Sequence, residues 1–361
     1  MKIRPLLGLL ALLIVSSHGP ARALDARVTS PSPRALFTLI GDVPLGDATG
    51  RTDYQSVDAE ARRLYIAKMG EGKLLVYDLA SDRLVREIAG LPKITGVLAV
   101  AQLHRVYASV PGAGVASSLR VGLGMLGLSS GTGMVVIFDS ETLKEVSRLP
   151  GGVFPDGIAY DPVEQRVFVS DELGSAVTVI DARNNRPLTR IKMAGQVGNV
   201  QFDRATGKVY APLQTRNVLA VIDPIKNVFV TDIPLAGCRH PHGLAIAAGT
   251  AVGYVACDGN DVLAIVDLEA KRIMGSRPIA HDPDVLAMDP DMKRLYIASE
   301  SGNMSTLDVT NPGVPVPLGD IFVGEDAHAV AVDPSSHRLY FALASVKGKA
   351  VLRVLSPRTA H

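Results

Sequence analysis

Four short runs of alternating apolar and polar residues, each bounded by Gly, Pro, Asn or Asp, recur along most of the chain. The stretch beginning at Pro155 is the clearest. Gly157 to Tyr160 precede a turn at Asp161-Pro162, Arg166 to Ser170 rise again, Ala176 to Asp181 follow a Gly-containing turn, and Leu188 to Met193 close the unit after Asn184-Asn185. Period-two alternation of β-branched residues between turn formers predicts strands rather than helices.

The second and third runs of that unit return as a phrase. Arg63-Leu64-Tyr65-Ile66-Ala67 leads to Leu75-Val76-Tyr77-Asp78, and Arg105-Val106-Tyr107-Ala108 leads to Val136-Ile137-Phe138-Asp139. Further copies start at Lys208, Gly253, Arg294 and Arg338, which makes seven at a period of about 42 residues, one of them lengthened by an insertion. Four strands per repeat at this spacing predict an all-β, seven-bladed β-propeller. The seventh copy stops after its third strand, while Ala35 to Ile40 read as a lone strand ahead of the first copy. The two ends are therefore expected to share one blade, which closes the ring and removes two exposed sheet edges. A β-solenoid or a pair of sandwiches is the alternative architecture. Length alone would suggest two domains; the continuous repeat predicts one, over residues 35–357, with a linker at 24–34 and a tail at 358–361.

These phrases resemble the YVTN β-propeller repeat family in its YncE-like branch. The resemblance extends to Gly50-Arg51-Thr52-Asp53-Tyr54, Phe154-Pro155-Asp156-Gly157, Gln214-Thr215-Arg216-Asn217, Cys238-Arg239-His240-Pro241-His242-Gly243-Leu244, Asp282-Pro283-Asp284-Val285-Leu286 and Glu300-Ser301-Gly302. It implies a fold and an exported protein but no single activity, because propellers host binding modules, scaffolds and enzymes alike.

The N-terminus supports export. Lys2 and Arg4 precede an apolar run from Leu6 to Val15, and Ala21-Arg22-Ala23 fits a small-x-small cleavage site, so residues 1–23 are expected to be a signal peptide. That run is far shorter than the roughly 20 apolar residues that span a bilayer. A periplasmic or secreted location follows, with no transmembrane segment in the mature chain. Lys and Arg number 37 against 36 Asp and Glu, a net charge of +1. Such balance gives no footprint for duplex nucleic acid, which is held through many Lys/Arg–phosphate contacts. Trp is absent and aromatics are only 5%, which argues against single-strand stacking platforms and against the tryptophan-dependent quinoprotein and WD-type repeats.

An insertion at 111–133 interrupts the second blade. It holds a Gly122-x-Gly124-x-x-Gly127 pattern and a Gly127-x-Ser129-x-Gly131 pattern, but neither has the βαβ or strand-turn-helix context that such motifs need. Leu119, Val121, Leu123, Met125, Leu126 and Leu128 make it apolar, so it would cap the channel mouth, meet a partner, touch a membrane surface or fold onto its own blade.

Candidate chemistry comes from aligning the copies. The residue just before each innermost strand should sit at one mouth of the central channel. In blade order it is Asp53, Thr95, Asp156, Gly198, His242, Asp284 and His328, with Tyr54 and Asn199 one place further on. Second-strand ends add Lys68, Asp171, Glu172, Gln214, Asp258 and Glu300 one layer out, with Arg51, Arg216 and Arg239 in nearby loops. Ionisable groups converging in a concavity predict a ligand site; a solvated acidic rim is the alternative. His242, Asp284, His328 and Asp53 come from consecutive blades, and imidazoles with carboxylates suit a divalent metal. Cys238 and Cys257, the only cysteines, fall at the same mouth of the fifth blade. In an exported protein they predict a disulfide, with a Cys/His metal site as the rival. The reading that ranks first is a monomeric binding or scaffold protein for a small molecule or an envelope protein partner. The alternative is a metal-assisted lactonase or hydrolase at the same mouth.

Overall fold

Among the described residues, twenty-eight strands, from β1 (Phe37–Asp47) to β28 (Lys349–Pro357), assemble into seven four-stranded antiparallel sheets. The computed structural model describes residues 36–48, 50–112, 122, 123, 125 and 131–358. The expected signal peptide and most of the second-blade insertion lie outside the described residues. The seven sheets are the blades of a β-propeller.

The third blade follows its sequence closely: β10 (Pro155–Asp161), β11 (Arg166–Asp171), β12 (Ala176–Asp181) and β13 (Arg186–Lys192) pair in that order. The outermost strand begins two residues earlier than its apolar pattern predicts, because Arg186 and Pro187 pair with Asp181 and Ile180 beyond a β-bulge. Proline is tolerated there because an edge strand leaves one row of N–H groups unpaired.

The last blade is built from both ends of the chain. β26 (Ala331–Val332) and β27 (Leu339–Val346) come from the seventh repeat, β28 follows, and β1 completes the sheet as its outer strand. Phe37 pairs with Pro357 and Asp47 with Lys349, so β1 covers the length of β28. A clasp of this kind ties the first and last blades by a full strand ladder.

Apolar side chains of neighbouring blades form shared cores. Tyr65, Ala67 and Val76 of the first blade pack against Val97, Val106 and Val136 of the second. One large aromatic sits at the centre of the second strand of every blade: Tyr65, Tyr107, Phe168, Tyr210, Tyr254, Tyr296 and Tyr340 are all fully buried. In several blades its hydroxyl reaches the next one, as when Tyr254 donates to the Pro312 carbonyl at 2.9 Å. The recurring Tyr is thus an inter-blade spacer with a polar end. The Asp that ends the third strand of the first six blades is turn chemistry: Asp78, Asp139 and Asp223 accept from the backbone N–H groups of Ser81, Thr142 and Lys226 at 2.7–2.9 Å.

Candidate ligand-binding site

The innermost strands β2 (Gln55–Asp58), β6 (Val97–Val100), β10, β14 (Gln201–Asp203), β18 (Pro241–Ala247), β22 (Pro283–Asp289) and β26 line the channel. Close to the start of each strand the blades nearly touch. Asn199 N–H donates to the His242 carbonyl at 3.0 Å, and Val285 N–H to the His328 carbonyl at 3.2 Å. A Cβ at Gly96 would collide with the Asp156 carbonyl, and one at Gly243 with that of Asp284. The same crowding leaves no room for a side chain at Gly198, which faces the His242 backbone. Backbone proximity thus holds the ring residues in place.

Asp53, Tyr54, Thr95, Asp156, His242 and Asp284 open onto one cavity of about 370 Å³ at the channel mouth. Arg51, Glu172, Gln214, Asp258 and Glu300 form its next layer, and Met69, Phe154, His240, Asp282 and Pro283 complete it. Seven carboxyl groups therefore face one guanidinium and two imidazoles.

The expected site residues divide into three sets. Asp53, Tyr54, Asp156, His242, Asp284 and Glu300 are brought together at the cavity. His328 is buried at 1% exposure behind Asp53, and Asn199 lines the channel below rather than the mouth. Arg216 does not reach the cavity. It lies in the exposed turn of a hairpin, beside a shallow groove with Asn217, Cys238 and Arg239. Gln214, two residues earlier and just past the end of the strand Lys208–Leu213, faces inward instead.

Two further second-strand ends are structural. Lys68 is buried, donating to the Leu45 carbonyl at 2.8 Å and paired with Glu71. Asp171 accepts from the N–H groups of Val153 and Phe154 and is paired with Arg190. Phe154, Met69 and Asp282 were missed as lining residues. Their only sequence signal is adjacency to ring and loop motifs, because turn geometry and not strand register turns them inward.

Electrostatics at the mouth is organised in pairs. Gln214 Nε2 donates to Glu172 Oε1 at 3.1 Å and lies 2.9 Å from His242 Nδ1. In neutral His242 this puts the proton on Nε2, 3.3 Å from Asp284 Oδ1. Burial opposes a charge on His242, but Asp284, Glu172 and Asp156 outweigh it and raise its proton affinity. Taking up a second proton makes Nδ1 a donor and requires the Gln214 amide to present its oxygen. Arg51 pairs with Glu300 at 2.8 Å and approaches Asp284 at 3.6 Å.

His328 is held by Asp326, whose carbonyl and Oδ1 lie 2.9 and 3.0 Å from Nδ1. Its Nε2 points at Asp53 Oδ1, 3.9 Å away, with no hydrogen-bond partner. Burial works against the imidazolium, yet Asp326, Asp284 and Asp53 prevail and push its pKa up to about 9. Burial lifts Asp53 to about 6 despite His328 and Arg51. Asp156 is raised well above the carboxylate range by burial, reinforced by Asp53 and Glu172.

The expected metal set does not converge. His242 meets Asp284 and His328 faces Asp53, so the four form two pairs rather than one chelating cluster. Among the described residues, only Asp261, His281 and Asp282 place three ligand atoms within 4.8 Å of one another. There the two His281 nitrogens face different carboxylates, Nδ1 toward Asp261 and Nε2 toward Asp282, on an exposed side chain. The disulfide is formed: Cys238 and Cys257 are bonded across β18 and the strand that follows it, with Cα atoms 5.4 Å apart. It ties down the loop that brings His240 to 2.6 Å from Asp258.

Comparison with a solved structure bears on the architecture. The structure is similar to the WD40 repeats of RRP9, with a TM-score of 0.70 over 90% of this chain and 98% of that one. At 8% identity the likeness is one of fold alone. The chain is a seven-bladed β-propeller. The model of the arylesterase family matches residues 117–228, from the second-blade insertion to the start of the fourth blade's outer strand. That stretch includes Asp156, Glu172, Asn199 and Gln214. Antigen Lp49 of Leptospira interrogans serogroup Icterohaemorrhagiae serovar copenhageni (strain Fiocruz L1-130) is 23% identical over 200 residues, 52% of this chain and 42% of that protein. The chain thus matches less than half the length of this curated relative. No helix among the described residues is long and apolar enough to cross a membrane.

Proposed function

We propose that this protein is an exported binding protein of the YVTN-repeat, YncE-like kind that holds a small organic cation at the mouth of its propeller. The observation that carries this reading is the charge imbalance of the mouth, seven carboxyl groups against one guanidinium and two imidazoles in about 370 Å³. Carboxyl groups outnumber cationic groups there by more than two to one, so the cavity favours a cation. Its volume falls in the range of small-molecule sites and exceeds what a bare ion fills. The dispersed carboxylates suit several N–H donors of one amine or guanidinium better than the short, convergent bonds of a metal. Tyr54 and Phe154 at the wall add aromatic surface for a cationic group. The disulfide suits an oxidising compartment.

Isothermal titration with short primary amines and guanidines, against matched carboxylates, tests the reading. Binding should be confined to the cations and weaken with salt. Asp284→Asn removes a charge-assisted bond and should lower affinity about tenfold or more. Equal binding of cations and anions, or no effect of Asp284→Asn, would refute it.

A second reading is hydrolysis of an ester or lactone at the same mouth, which the arylesterase match favours. His242, oriented by Gln214 and Asp284, is the group suited to take a proton from water. Its raised proton affinity makes such turnover increase with pH. An aryl ester and lactone panel on wild type and His242→Gln separates the two readings.

A further inference from the structure

We propose that Tyr54 is the floor of the mouth site and sets how long a ligand the site admits. Tyr54 follows Asp53 in the first blade, where its carbonyl accepts from Ala67 N–H at 3.0 Å. Its side chain crosses the channel. The hydroxyl donates to Asn199 Oδ1 in the fourth blade and lies 3.4 Å from Asp156 Oδ2 in the third. In a ring of seven, the fourth blade is as far from the first as any, so the Tyr54 and Asn199 side chains together bridge the channel. Asn199 is itself fixed, buried at 5% exposure with its N–H bonded to the His242 carbonyl.

Below this bar lies a second space of about 450 Å³. Among the described residues, Tyr54 alone lines both spaces. The two differ sharply in chemistry. The mouth is dominated by carboxylates, whereas the lower chamber has no charged side chain: Gln55, Ser56, Asn199 and Gln201 stand among Val, Leu, Ile, Ala and Met. A ligand with a cationic head and an apolar tail would find the right surroundings for both ends in one channel, yet the Tyr54 ring stands between them. The site therefore selects short cations and turns away those carrying a long alkyl chain. This deepens the cation reading above and rests on it for the ligand class.

The test is a series of primary n-alkylamines from ethyl to octyl, titrated into wild type, Tyr54→Phe, Tyr54→Ala and Tyr54→Leu. In wild type, affinity should level off after the first few carbons. Tyr54→Phe keeps the ring and should keep that cutoff. In Tyr54→Ala each further methylene enters the lower chamber, and affinity should rise roughly fourfold per carbon, the gain of moving a methylene out of water. Tyr54→Leu, which preserves apolar packing, provides a second opened channel if the alanine variant is unstable. A rise with chain length already present in wild type, or the same cutoff in all four proteins, would overturn the proposal. Crystal structures of ligand-free wild type and Tyr54→Leu decide the matter independently of amine binding. A water column broken at Tyr54 and continuous in the variant supports the floor, and a continuous column in both refutes it. If no amine binds any variant while the column is broken, the cation reading fails and the floor stands.

Discussion

Replacing His328 tests whether the mouth is held together by one buried imidazolium. His328 is 1% exposed, and its pKa of about 9 lies above the 6.5 of an unperturbed histidine. Because the folded value is the higher one, its stabilising contribution is complete below pH 6.5 and disappears as pH rises through about 9. The gap corresponds to about 3 kcal/mol at roughly 1.4 kcal/mol per tenfold change in proton affinity. Asp53 complicates a simple comparison. Its raised pKa of about 6 makes its ionisation costly between pH 3.8 and 6, and removing His328 would move that cost upward into the same window. The experiment therefore compares Asp53→Asn with Asp53→Asn/His328→Gln by urea unfolding from pH 6 to 9.5. Asp326 and Asp284 still face His328 in the first protein. Its advantage over the double variant should shrink by about 2–3 kcal/mol between pH 6.5 and 9. In the otherwise native protein at pH 6, His328→Gln leaves carboxylates without their buried partner and should cost about 3–5 kcal/mol. An advantage that stays constant from pH 6.5 to 9 would show that His328 is neutral in the folded protein and refute the reasoning.

Other consequences are open to direct measurement. Removing the Cys238–Cys257 bond, which closes a separation of 19 residues, should cost about 3 kcal/mol on the chain-entropy model, read as a lower unfolding midpoint of the double alanine variant. Gly243→Ala drives a Cβ into the Asp284 carbonyl. It should destabilise by about 1–3 kcal/mol as an overpacking change and, unlike an ordinary core substitution, also weaken amine binding through displacement of Asp284. Tyr254→Phe removes the hydrogen bond to Pro312 while keeping the ring, so a loss of about 1 kcal/mol is expected; Tyr254→Ala should cost about 3–5 kcal/mol. Calorimetric unfolding of both variants checks the contrast.

What the sequence made legible divides along physical lines. Strands, turns and blade count were readable because each depends on neighbours a few residues apart. The Arg-Leu-Tyr-Ile-Ala phrase alternates with period two, and the Asp that ends the third strand of the first six blades caps its own turn. Closure by β1 was readable because the last repeat lacked one strand and the N-terminus supplied one. The ring at the mouth was readable for the same reason, since a position fixed relative to each inner strand falls at a fixed depth in the channel. Side-chain direction beyond that register was not. Arg216 and Gln214 are two residues apart, yet one turns out to solvent and the other reaches His242, because the tight turn that both occupy reverses the chain between them. His328 carries the ring position's imidazole but lies behind Asp53, while Asn199, one place on, drops below the mouth. Tyr54 shows most clearly where local reading stops. Its reach to Asn199 depends on two blades separated by 145 residues facing one another, a relation produced only by closing the ring. The make-up of this mouth is therefore set twice: repeat register delivers carboxylates and imidazoles to it, and ring geometry decides which of them open onto the cavity.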